Sequence, residues 1–269
     1  MDVNGWCATV TCPRRSKTPT NLTVRSFPPT FAETPEGNEE ALRLLTEVLE
    51  ATPDYAMANA LAAWCYQQRH LMDWLGARPD DRETARRMAR VAITGGADAP
   101  LALALGGAVH AGLTRDHDFA LAAVDRAMMI NTNSALVLGF DALTRCICGS
   151  YDTAIEHAEK ALQLSPLEPL VYHAAFALAL ACLLCGRAEE AVAHARKAID
   201  GNRNFVFPYC VLASGCARLG HADEAAEAVR HLVSAAPRFR LGSLRKIRFA
   251  DAARLQSDLD LLRETNLPE

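Results

Sequence analysis

The sequence predicts an all-α solenoid of about five to six tandem helical hairpins, closed by a C-terminal capping helix. Three observations carry this expectation. The 269 residues are half hydrophobic but only 6% aromatic, with alanine abundant, which suits closely spaced helices better than strands. A ladder of small apolar residues at steps of four and three, then five to a proline, recurs along the chain; its clearest copy is Ala154, Ala158, Ala161 and Pro166. Gly149, Gly186 and Gly220 each stand five residues before the first rung of a copy, where one helix ends and a short turn precedes the next.

Residues 1–35 lie outside the ladder. They hold five of the thirteen prolines (Pro13, Pro19, Pro28, Pro29, Pro35), Cys7, Cys12 and four basic residues, with no helical apolar period. They are read as an irregular, disordered leader, with the repeat array over 36–237 and a basic segment plus capping helix over 238–269. The first ladder, Ala41, Leu45, Val48 and Pro53, sits on a helix expected over 39–51. No first helix precedes it, and since a solenoid end needs a cap, the chain reads as the remnant of something longer.

A helix over 55–69 follows, then an insertion over 70–81 containing Trp74 and Pro79. The pattern resumes over 82–93 with Ala85, Ala89, Ala92 and Ala97. Further copies are Ala120, Val124, Ala127, Thr132; Ala191, Ala195, Ala198, Arg203; and Ala225, Val229, Leu232, Pro237. First rungs at 41, 85, 120, 154, 191 and 225 are separated by 44, 35, 34, 37 and 34 residues. Steps of four and three keep the rungs on one helix face, alanine admits a neighbouring helix, and proline stops the helix. After Pro237 the basic stretch RFRLGSLRKIRF leads into a last helix over 251–265, with Leu255, Leu259 and Leu262 on one face.

Composition narrows the function classes. A net charge of −4 gives no reason to expect specific nucleic-acid binding. The longest apolar run, 174–185, is far short of a membrane span. No basic segment followed by an apolar core marks a signal peptide. Nine cysteines, mostly within apolar helical stretches, read as reduced thiols and a cytoplasmic location.

On these residues the sequence resembles the tetratricopeptide repeat (TPR) family. The copy over 134–166 matches the family pattern at Gly149, Tyr151, Ala154, Ala158, Ala161 and Pro166, and that over 206–237 at Tyr209, Leu212, Ala213, Gly220 and Ala225. Thr132, Arg203 and Ala97 depart from it where proline is the pattern, and a helix around 169–185 is longer by about three residues. The segments TPEGNEEALRLL, ATPDYAMANALAAWCY, SPLEPLVYHAAFALAL and LRETNLPE look like the TPR arrays that follow bacterial class III adenylate/guanylate cyclase domains, and similar arrays accompany winged-helix transcriptional regulators. The resemblance implies a right-handed superhelix, and a sensor or scaffold half without its effector.

Catalytic chemistry is not signalled, and neither a cofactor nor a metal is expected. Gly95-Gly96 and Gly106-Gly107 lack the lysine and spacing of a phosphate loop. No strand-rich segment of cyclase size remains, and no G-x-S-x-G motif occurs. Cys182/Cys185 and Cys146/Cys148 lie inside apolar helices, where small core-fillers are expected rather than zinc ligands. The eight histidines are scattered; His157 and His194 fall at equivalent places on second helices, on a half-exposed repeat face. Asp80-Asp81 and Glu189-Glu190 read as solvated helix starts.

What remains is binding. On the family template the first helices line a concave face comprising Leu105, Val109, Leu136, Leu143, Ile147, His173, Phe176, Leu180, Leu183, Leu184, Phe207 and Arg218. So apolar a face disfavours a clamp for a peptide carboxylate and favours an apolar or amphipathic segment of a protein partner. Self-association, or occupation by the chain's own terminus, are the other uses of that face. A basic patch of Arg238, Arg240, Arg245, Lys246 and Arg248 is a second surface, able to attract an acidic protein, an anionic membrane or nucleic acid.

Overall fold

A computed structural model describes residues 18–74, 76–166 and 168–269. Among them are fourteen helices and no strand. Six hairpins pair α1 (Pro19–Thr30) with α2 (Pro35–Ala51), α3 (Ala56–Met72) with α4 (Asp81–Gly95), and α5 (Pro100–Leu113) with α6 (His117–Ile130). They continue with α7 (Ala135–Ile147) and α8 (Tyr151–Leu164), α9 (Tyr172–Leu184) and α10 (Ala188–Gly201), and α11 (Phe207–Arg218) and α12 (Ala222–Ala235). The short α13 (Leu241–Arg245) and the terminal α14 (Ala252–Glu264) follow.

The ladder makes the solenoid. Ala41, Ala85, Ala120, Ala154, Ala191 and Ala225, its six first rungs, are all fully buried. They lie on second helices, and each of these but the last packs between the first helix of its own hairpin and that of the next. First helices also pack on one another along the array, forming the inner layer. Gly149, Gly186 and Gly220 have φ of +87°, +81° and +78°, the left-handed region in which a side chain would be strained. There the amides of Ser150, Arg187 and His221 donate back to Arg145, Cys182 and Cys216, closing the ends of α7, α9 and α11.

Three expectations need correction. Residues 19–30, assigned to an irregular leader, form α1. Pro19 occupies its first turn, where a missing N–H costs nothing, and the Thr18 side chain accepts from the Asn21 amide. Pro28 and Pro29 fall in its last turns, which hid the helical period. The first hairpin is therefore whole, and the remnant reading loses the observation that motivated it; Cys7, Cys12 and Pro13 lie outside the described residues. Second, α9 is 13 residues long, like α7, and the extra residues belong to the turns before it, where Pro166 and Pro169 interrupt the helical ladder. Third, Asp81 is not a solvated helix start. It is buried, accepts from the Arg78 amide at 2.8 Å and pairs with Arg69, clamping the α3–α4 connection.

Candidate functional site: an inner channel and its strap

The first helices line an inner groove, or channel, and the chain crosses it at both ends. At one end the turn between α1 and α2 reaches the fifth hairpin. The carbonyl of Phe31 accepts from Tyr172 Oη at 3.0 Å and from Asn202 Nδ2 at 3.1 Å, while that of Ala32 accepts from Asn204 Nδ2. The Phe31 ring lies 5.4–6.1 Å from Trp64, Phe140 and His173. Burying such a ring stabilises the closed arrangement by about 2–3 kcal/mol. His173 lies among these rings, with Nε2 3.7 Å from a carboxylate oxygen of Glu33; both side chains are buried.

At the other end the C-terminal segment crosses the ends of the first helices in chain order. Lys246 Nζ donates to the His70 carbonyl of α3 at 2.7 Å. The amide of Arg248 donates to Gly112 of α5, and that of Ala250 to Ile147 of α7, each at 2.9 Å. Arg254 then donates to Leu184 of α9, and Asp258 accepts from Arg218 of α11 at 2.7 Å. The first three contacts step by two residues through a turn and a short irregular stretch, and the last two, both on α14, stand four apart, the period of a helix. Helix C-termini leave carbonyls unpaired and carry the negative end of the dipole, so backbone N–H groups and cations are what they take.

Two cavities of about 50 Å³ each flank this strap, both walled by Phe176, Leu180, Phe207, Ile247 and Phe249. Along its path Trp64 Nε1, Gln68 Oε1, Ser214 Oγ and Asp258 Oδ2 are buried without a protein partner. Leaving such atoms unpaired costs roughly 1–3 kcal/mol each. Burial also pushes the Asp258 carboxyl up to about 6, with the Arg218 guanidinium pulling the other way.

Of the twelve residues expected on the inner face, Leu143, Ile147, Phe176, Leu180, Leu183, Leu184 and Phe207 line these cavities. All seven are buried rather than open to solvent. Leu105 and Val109 are buried in the hydrophobic core without lining either cavity, Leu136 is half-buried, and His173 belongs to the aromatic cluster. Arg218 bonds the strap and the Leu183 carbonyl. The sequence reading missed Trp64, Gln68 and Leu71, which stand four and three residues apart on α3, and Ile247 and Phe249 from the strap.

The basic patch is dispersed. Arg240 donates to the Pro237 and Phe239 carbonyls, Arg245 pairs with Glu269, and Lys246 turns to His70. The side chain of Arg248 is half-buried, and Arg238 is exposed.

Elsewhere the polar groups are structural. Fully buried Asp141 on α7 accepts from Arg145 and pairs with His157 of α8. Cys146 and Cys182 are buried and Cys148 half-buried, but Cys185 is exposed at the end of α9 rather than filling the core. Burial raises the thiols of Cys148 and Cys182 to about 12 and 11, far from a reactive thiolate. Among the described residues no group of three or more His, Cys, Asp or Glu could hold a metal, and no helix is long and apolar enough to cross a membrane.

No family model matches the chain, and no curated protein does. Solved structures are similar. A chain of the APC/C hetero-tetramer Cut9–Hcn1 aligns with TM-score 0.61 and 13% identity, over 94% of this chain and 44% of that one. A tetratricopeptide repeat protein from Parabacteroides merdae aligns with TM-score 0.54 and 14% identity, over 93% and 86%. PilW, a type IV pilus biogenesis factor, aligns with TM-score 0.51 and 17% identity, over 80% and 92%. This chain thus spans less than half the length of the Cut9–Hcn1 chain. The fold is an all-α solenoid of TPR-like hairpins.

Proposed function

We propose that the protein is a non-catalytic interaction scaffold whose inner channel takes an apolar or amphipathic segment of a partner protein. The observation that carries this reading is the strap. The channel holds a stretch of irregular chain and then a helix, with Ile247, Phe249, Leu255, Leu259 and Leu262 lining its cavities. Burying an aliphatic or aromatic anchor contributes roughly 1.5–3 kcal/mol, so three or four anchors hold a segment at micromolar affinity after association costs. A regulatory setting, like that of the arrays that accompany cyclase and winged-helix domains, is part of the same proposal.

Recovery of partner proteins by the wild type and by Leu180→Asp tests the reading. Leu180 walls both cavities, so the folded variant is expected to lose partners that the wild type retains. Unchanged recovery counts against the channel. Stoichiometric zinc or saturable ATP binding in purified protein would overturn the non-catalytic assignment.

A further inference from the structure

The strap meets the ends of the first helices but leaves several buried polar atoms along its path without a protein partner. It offers one donor or acceptor to each of five successive first helices, from Lys246 at α3 to Asp258 at α11. Yet Trp64 Nε1, Gln68 Oε1 and Ser214 Oγ beneath it, and one oxygen of its own Asp258, find no protein partner. Buried polar groups in folded proteins are almost always paired, so an occupant that supplied these contacts would fit better.

The strap is also separable. α14 packs chiefly on α11 and α13, and no hairpin needs it to complete its helix pair. The unit is tied to itself, since the Leu241 amide donates to Pro268 and Glu269 pairs with Arg245 and Arg263. Chain 237–240 joins it to α12, with buried Phe239 meeting Phe207 edge-on at 5.7 Å as the anchor on the near side.

We propose, resting on the scaffold reading above, that the strap is a removable occupant and that a protein segment of like design displaces it. That segment alternates basic and apolar residues in irregular chain, then forms an amphipathic helix bearing a carboxylate opposite Arg218. Charge complementarity fixes its direction. Donors meet the carbonyl ends of α3, α5, α7 and α9, and only at α11 does an arginine require an acid.

A synthetic, labelled peptide of residues 244–264 is the probe, with the full chain as receptor. When the seated strap excludes the peptide, apparent affinity is scaled by the fraction of open channels. The double variant Ile247→Ser, Phe249→Ser is expected to bind the peptide about tenfold more tightly than the wild type, or better. In it the amides of Arg248 and Ala250 should lose their protection from hydrogen exchange. Arg218→Glu should lose the wild-type peptide and recover binding to a peptide carrying Asp258→Arg, and this charge reversal decides the matter if the double variant fails to fold. Equal binding by wild type and double variant, with those amides still protected in the complex, overturns displacement and leaves the scaffold reading standing. Freely exchanging amides with no peptide bound under any charge pairing overturns the channel as a docking site, and with it the scaffold reading.

Discussion

At the scale of single residues, stability rests on close approaches that glycine permits and on buried charges that find partners. A Cβ on Gly215 would stand 2.7 Å from Val192 Cγ2, and a β-branched neighbour has little freedom to retreat. Gly215→Val should therefore cost about 1–3 kcal/mol in urea unfolding. Asp141→Ala removes the carboxylate that Arg145 and His157 share, and the expected loss is on the order of 3 kcal/mol, with Asp125 retaining part of Arg145's charge pairing. The two positions differ in how far sequence announces them. A glycine inside a small-residue run advertises close packing, whereas Asp141 is an ordinary acid among leucines until α8 delivers His157 to it.

At the scale of elements, the second helices were readable and the strap was not. Alanine rungs recur because each second helix must admit a neighbour, so spacing alone located α2, α4, α6, α8, α10 and α12. Local period says nothing about contacts across 130 residues, such as His117 Nε2 meeting the Arg248 carbonyl at 2.8 Å. The basic stretch thus read as a solvated surface, although Lys246 serves a helix end. For α14 the decisive group is Asp258. Its carboxyl sits at about 6, above the ordinary aspartate value of 3.8, so the folded state holds its proton more tightly than the unfolded one. The stabilisation is complete below about pH 4 and lost as pH rises through 6, on the order of 3 kcal/mol. Amides of α14, corrected for intrinsic rates, should exchange more slowly at pH 5 than at pH 7. Asp258→Asn, which stays neutral, should flatten that dependence.

At the scale of the whole molecule, the contact between Phe31 and the fifth hairpin changes what kind of solenoid this is. An open repeat array unfolds piecemeal, because each unit touches only its neighbours. Here Tyr172 and Asn202 of the fifth hairpin hold the first turn, so distant hairpins share one fate. A single calorimetric transition is expected. Tyr172→Phe should lower stability by about 1 kcal/mol through one lost hydrogen bond. Phe31→Ala should cost about 3–5 kcal/mol and broaden the transition as the terminal hairpins come free. The sequence displayed five to six hairpins, the first without its opening helix, and missed the closure, because α1 was masked by Pro28 and Pro29 and the turn that follows it shows no periodicity.

That closure also fixes arithmetic. Open arrays tolerate the gain or loss of a unit, since every junction is alike. In this chain Phe31 arrives at Tyr172, and Arg248, Ala250 and Arg254 each find their own helix end, so the six hairpins among the described residues are a number at which both fastenings meet. Excising one internal hairpin, for instance 135–171, would leave two sound stacks whose clasps no longer coincide.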